Sequence, residues 1–350
     1  MSGIKPIVGA GAAARGRIEP ALIGLSTLRK RAVRRYLVPL GMSLATILAA
    51  FALVDSYHIE YVYLAAYPIL QYVVLSTGWN VLGGYAGYVN FGVSGFFALG
   101  VYATVTNTLT LHLPMVAVIL IAGLIAGVVG LGMGYLTLRL KGAFFSIATL
   151  AFAVVLNTVF DNWRFVGGAT GIAVLRPQAP AFFGTYPRYL FGVMLLLAVA
   201  SVLVARGIER SWLGKGLSAI RDDELAAELS GVPTLRLKLI ATTISGALMG
   251  MAGVPFAYYI TYVDPASTFS LTVAVNTVAM ALIGGMTSWL GPVIGALLLG
   301  TLEQVTTVTI SSSLSLMLVG VLLVSFVALA PRGILGVVKT LRERRAGVRS

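Results

Sequence analysis

The residues of this chain best suited to specific polar chemistry are gathered in the stretch 207–233, GIERSWLGKGLSAIRDDELAAELSGVP. The chain has 12 Asp and Glu residues, and Glu209, Asp222, Asp223, Glu224 and Glu228 lie there. From 216 to 230 the spacing is helical. Arg221, Glu224 and Glu228 recur at steps of three and four, while Leu225, Ala226 and Leu229 fall together on another face. Gly231 and Pro233 then stop the helix. Charges on one face of a short helix suit ion pairing, so this segment reads either as a docking helix or as a solvated connection between two spans.

Catalytic chemistry finds little to work with. The two histidines, His58 and His112, sit in short hydrophilic gaps without a paired Asp at helical spacing. An intramembrane hydrolase needs a base or metal ligands inside its spans. There are no cysteines, hence no disulfide, Cys-bound zinc or iron–sulfur site. The nearest approach to a phosphate-binding loop is Leu213-Gly214-Lys215-Gly216, which lacks the earlier glycine and the following Ser or Thr. Catalytic residues and metal ligands are therefore expected to be absent, and no P-loop ATPase is encoded. Glu303 is the one acid deep in an apolar run, with Gln304 beside it, and it reads as a structural acid or as part of a permeation path. Gln71, Asn80, Asn90, Asn157 and Asn276 are the amides within apolar runs. They read as helix–helix hydrogen-bonding groups or as path-lining groups. With Tyr85 and Tyr88, Asn90 and Asn157 are the candidate path residues.

These groups must be positioned by apolar helices. Of 350 residues 58% are hydrophobic and 11% charged, against about 25% charged in soluble domains. Apolar blocks of about 18 residues recur, and backbone groups in lipid must be satisfied within their own segment, so helices are expected. The ~10-residue alternation of a membrane barrel is absent. The net charge of +13 flanks the apolar runs, which fits a positive-inside pattern and not nucleic-acid binding. The sequence predicts an all-α polytopic membrane protein with about ten spans near 37–54, 61–77, 94–109, 114–138, 143–160, 189–205, 236–256, 271–283, 293–308 and 314–330. Seven glycines between Gly78 and Gly100 predict a broken or re-entrant segment near 78–95. Gly83/Gly87, Gly123/Gly127, Gly130/Gly134, Gly246/Gly250 and Gly291/Gly295 are spaced for close helix packing within the chain. Three regions follow: a basic tail over 1–36, a membrane domain over 37–330 and a basic tail over 331–350. Both tails are expected in the cytoplasm, together with Arg139, Lys141 and the 207–233 loop. Arg164, Arg176 and Arg188 run against that assignment.

Five stretches together resemble a known family. They are GWNVLGGYAGYVNFGVSGFFALGVY (78–102), KGAFFSIATLAF (141–152), GGATGI (167–172), GLSAIRDDELAAELSGVPTLRLKLIATTISGALMGMAGV (216–254), and GGMTSWLGPVIGA (284–296) with PRGILG (331–336). The chain resembles permease subunits of ABC importers for branched-chain amino acids, the LivH/LivM family, and within it the LivM branch. Thr287 and Val93 depart from the family's usual glycine and histidine. The resemblance implies that Ala219, Ile220, Arg221, Asp222, Asp223, Glu224, Glu228 and Gly231 form the segment that couples to a cytoplasmic ATPase. It further implies two ATPase subunits holding ATP and Mg, a LivH-like second permease, a periplasmic or lipid-anchored binding protein, and a place in the bacterial inner membrane. No cofactor is implied for this chain itself. Branched-chain or other hydrophobic amino acids are the expected cargo. Urea, short-chain amides and aromatic compounds are alternatives within this architecture, and an ATP-independent channel or carrier is the alternative outside it.

Overall fold

The computed structural model describes residues 60–177, 180, 183–309 and 333–336, with isolated positions 49, 317, 320, 321 and 324. The expected spans at 37–54 and 314–330, both tails, Asp55 and His58 lie outside the described residues. Helix α1 is Glu60–Ala86, and α2 is Val93–Thr106 with a π-helical turn at Asn107–Leu111. Then come α3 (Met115–Thr137), α4 (Ala143–Asn162) and the two-residue strand β1 (Ile172–Ala173). The chain continues through α5 (Tyr186–Arg210), α6 (Trp212–Asp222), α7 (Glu224–Leu229) and α8 (Thr234–Ile260). Strand β2 (Tyr262–Val263), α9 (Pro265–Thr268), α10 (Leu271–Gly284) and α11 (Leu290–Thr309) complete the order. The two strands pair antiparallel, Ile172 with Val263 and Ala173 with Tyr262, a small exception to an all-helical expectation.

Six helical segments among the described residues are long and apolar enough to cross a membrane: 115–137, 143–162, 186–210, 234–260, 265–284 and 290–307. The molecule is a polytopic helical membrane protein. The expected number of about ten spans is not reached among these residues; α2, with 14 residues, is shorter than the ~20 a bilayer requires. The outer faces of α3 and α4 carry Leu120, Leu124, Val128, Phe144, Ile147 and Val155 exposed, as helices bordered by acyl chains do.

The glycine-rich segment is placed differently from the expectation. Helix α1 continues through Gly78, Gly83 and Gly84 to Ala86 and breaks only at Gly87. Tertiary packing outweighs propensity here. A Cβ at Gly78 would lie 3.2 Å from Leu248 Cβ of α8, a tight approach that the bare backbone relieves. Gly87 turns the chain at φ +78°, and the linker is held by two bonds: Trp79 Nε1 donates to the Asn90 carbonyl (2.7 Å), and Gly92 N–H donates to Asn90 Oδ1 (2.7 Å).

Helix α8 runs through the centre. At its crossing with α2, a Cβ on Gly100 would fall 1.8 Å from the Gly250 carbonyl oxygen, so the backbones touch. Gly246 and Gly250 also meet Ala126 and Ala122 of α3, packing within the chain as their spacing predicts. Pro68 interrupts α1 and leaves the Leu64 carbonyl without its helical donor. Tyr259 Oη of α8 donates to that carbonyl at 3.3 Å. Arg176, one of the cations that ran against the charge rule, donates to the Tyr258 and Tyr259 carbonyls at 2.9 and 3.1 Å. It caps the carbonyl end of α8, which draws a cation regardless of the side of the membrane.

Candidate functional site

The single helix expected over 216–230 is divided between two helices, α6 and α7. Asp223 is extended (φ −159°, ψ 109°), and its Oδ1 accepts from Ala226 N–H at 3.0 Å. A short acceptor side chain at that position caps a new helix start more favourably than it continues the old one. Arg221 and Glu224 therefore belong to different helices. Helix α6 opens at Ser211, whose Oγ accepts from Gly214 N–H at 3.4 Å. It buries Gly214, Leu217 and Ile220 at helical spacing. Helix α7 buries Ala227 and ends before Gly231 at φ +82°. Those apolar residues join a core with Val81, Leu82, Tyr85, Leu138, Phe145, Ile208 and Leu237. The pair of short helices is thus seated on the ends of α1, α3, α4, α5 and α8.

At the seat lies a charge junction. Lys238, in the second turn of α8, is 3% exposed. Its Nζ donates to Glu224 Oε1 (2.6 Å), to Tyr88 Oη (3.1 Å) and to the Leu138 carbonyl (3.3 Å). Tyr88 Oη donates to Glu224 Oε2 at 2.5 Å. Lys141 approaches the same carboxylate at 4.0 Å from the exposed side. All three ammonium protons have acceptors, which is the condition for burying a lysine. Burial by itself would raise the Glu224 carboxyl. The hydrogen bonds from Lys238 and Tyr88, with the charges of Lys238 and Lys141, outweigh it and lower the pKa. A second tie runs from Arg221 Nη1 to the Gly84 carbonyl at 3.2 Å, with the Arg221 stem lying across Gly87. A cavity of about 390 Å3 opens here, bounded by Gly87, Tyr88, Lys141, Ser146, Arg221 and Glu224.

The expected coupling residues therefore divide into two sets. Ile220 is buried, and Ala219, Arg221 and Glu224 are half-buried and face the membrane domain. Asp222, Asp223, Glu228 and Gly231 are exposed. Beside them stand Leu225 at 63% and Leu229 at 82% exposure. The expected path residues do not form one lining. Tyr85 Oη bonds to the Ala205 carbonyl (3.2 Å), Tyr88 is in the junction, and Asn90 ties the linker. Asn157 sits on α4 two turns beyond Thr149, the residue whose Oγ1 meets Phe91 N–H. Lys238 is the member that periodicity did not single out. A lysine among Leu237, Leu239, Ile240 and Ala241 was a signal, because buried lysines occur only with partners.

The seated element and its junction lie within a stretch that known proteins share. The sequence profile described as "Branched-chain amino acid transport system / permease component" matches residues 61–327. The chain belongs to this permease family. It is 30% identical over 291 residues to the high-affinity branched-chain amino acid transport system permease protein LivM of Escherichia coli K12, covering 75% of this chain and 67% of that one. The LivM of Salmonella typhimurium is 28% identical over 303 residues, covering 79% and 70%. The ribose import permease protein RbsC of Haemophilus influenzae is 24% identical over 209 residues, covering 58% and 64%. No solved structure matches the permease chain significantly. Its membership agrees with the resemblance read from the five sequence stretches, and all but the last of those stretches fall inside the profile match, the last extending beyond it to residue 336.

Proposed function

We propose that this permease moves branched-chain or other hydrophobic amino acids into the cytoplasm, and that α6 and α7 receive the drive from separate ATPase subunits. The observation that carries the reading is the two-sided character of α7. Leu225, Leu229 and Glu228 point outward, while Glu224 is bonded inward to α8 and to the α1–α2 linker. Two exposed leucines beside acidic residues suit a hydrophobic groove with a basic rim on a partner. A push on α7 would reach α8 through Glu224 and Lys238, and the linker through Tyr88. A second push, through α6, would reach α1 through Arg221. The whole α6–α7 end, with Arg139, Lys141, Arg210 and Arg236, faces the cytoplasm in this reading. Both tails lie on the same side. The LivM relatives favour amino acids as cargo. A second permease subunit completes the pore, an external binding protein delivers the cargo, and ATP and Mg stay on the ATPases.

The test is co-purification. Leu229→Glu leaves every inward bond in place, so the permease should remain folded while losing the ATPases from detergent-solubilised membranes. Wild-type recovery of the ATPases with Leu229→Glu and with Leu225→Glu would refute docking at α7. Replacing Glu224 cannot serve this purpose, because its partners are internal.

A further inference from the structure

The cavity of about 390 Å3 beside the charge junction has a cationic wall that the junction leaves over. Lys141, in the turn between α3 and α4, and Arg221, near the end of α6, both line it. Glu224 is the one acid among the described residues that line it, and its oxygens already accept from Lys238 at 2.6 Å and from Tyr88 at 2.5 Å. Lys141 Nζ stands 4.0 Å from that carboxylate, and its side chain is 71% exposed. Arg221 donates to the neutral Gly84 carbonyl at 3.2 Å and lies 3.5 Å from the exposed carboxylate of Asp222. An exposed pair of that kind offsets little charge. A guanidinium has five N–H donors, so some remain for a further acceptor. The volume lies within the ~300–1,000 Å3 usual for small-ligand sites. From the cavity wall at Gly142 and Ala143, α4 runs on with Phe144, Ile147, Ala151, Val154 and Val155 exposed at helical spacing.

We propose that this cavity seats the phosphate of an anionic phospholipid whose acyl chains lie along the exposed stripe of α4. Charge and position select this occupant. Two cations line the cavity against one acid that the buried Lys238 already neutralises. Such a wall suits a phosphodiester, which takes charge-assisted hydrogen bonds from Lys and Arg. The apolar stripe starts at the cavity wall, so a ligand with a phosphate and long chains is held at both ends. A soluble phosphate uses the cavity alone. Basic pockets between transmembrane helices are suited to anionic headgroups for this reason. A phosphate between Lys141 and Arg221 ties the start of α4 to α6, so the bound lipid braces the α6–α7 element against the membrane domain. Neither the cargo nor the docking of an ATPase enters the argument.

The experiment is thermal unfolding of the purified full chain in detergent, titrated with dioleoylphosphatidylglycerol, dioleoylphosphatidylcholine or inorganic phosphate. Phosphatidylglycerol should raise the melting temperature to a plateau that neither of the others reaches. Lys141→Gln should raise the mole fraction of phosphatidylglycerol needed for half the effect about tenfold, the weight of one charged hydrogen bond. Ala143→Leu, which narrows the cavity without touching a charge, should raise it likewise. Lys215→Gln, at an exposed lysine of α6 outside the cavity, should stay within about twofold of wild type. If one of the two cavity variants does not fold, the other decides. Wild-type titration in a folded cavity variant would overturn the seat. So would equal stabilisation by phosphatidylcholine, or an equal shift in Lys215→Gln, which would mean attraction to the surface at large. Inorganic phosphate matching phosphatidylglycerol would overturn the lipid and make free phosphate the ligand.

Discussion

Lys238 shows what a single buried charge does in this protein. It is enclosed by Glu224, Tyr88 and the Leu138 carbonyl, three groups from three separate segments. Removing one member of a buried pair strands the other, so Lys238→Met should lower stability by about 3 kcal/mol or more, and the double change with Glu224→Leu should recover much of that. Thermal unfolding of the purified permease in detergent, run as a double-mutant cycle, measures both. The same junction sets a pH dependence. Glu224 is held below its ordinary value of 4.5 in the folded chain, so its ionised form favours folding. That contribution is complete above the ordinary carboxylate range and disappears as pH falls through the lowered value. The stability difference between wild type and Glu224→Gln should therefore be constant from neutral pH to about 5 and close below it. A difference that grew on acidification would contradict the bond pattern.

At the scale of elements, the break at Asp223 lets two short helices do what one long helix could not. A straight helix over 216–230 would carry Glu224 and Arg221 in a fixed relation. The break lets Arg221 reach Gly84 while Glu224 reaches Lys238. Arg221 thereby holds the end of α1, and Glu224, through its bond from Tyr88, holds the linker that follows Gly87. Asp223→Ala should cost α7 about 1 kcal/mol, the usual worth of a helix cap. Hydrogen exchange should quicken at Ala226–Leu229 while α8 keeps its protection, and Asp223→Ser should hold the wild-type rates. Equal slowing or quickening across α6, α7 and α8 would mean that the cap is not what separates them.

At the scale of the molecule, the apolar faces of α3 and α4 turn outward and the polar end carries the α6–α7 element. In the proposed reading, the energy for directional movement enters at α7 from separate ATPase subunits. Reconstituted alone in liposomes without ATP, the permease should not equilibrate radiolabelled leucine beyond the rate of empty liposomes. Flux through the isolated chain would identify a channel or carrier and remove the role given to α7.

Hydrophobic runs and basic flanks were enough to read a helical membrane protein, and the ordered motifs from Gly78 to Gly336 were enough to read the permease family. Those properties depend on solvent preference and on local order, which a linear sequence carries directly. The helix starts near 115, 143 and 271 were legible for the same reason, while the helix expected from 293 begins at Leu290. The continuation of α1 through three glycines was not, because it rests on packing against α5, α8 and α11 and not on propensity. Nor was the division of 207–233 into inward and outward residues, since periodicity groups residues by face only while the helix stays unbroken. Lys238 meeting Glu224 and Tyr88, and Gln71 and Glu303 lining one cavity, were decided by tertiary structure alone. Such groups are brought together by helix crossings, and the energy that fixes a crossing is summed over backbone approaches far apart in the chain, as between Gly100 and Gly250.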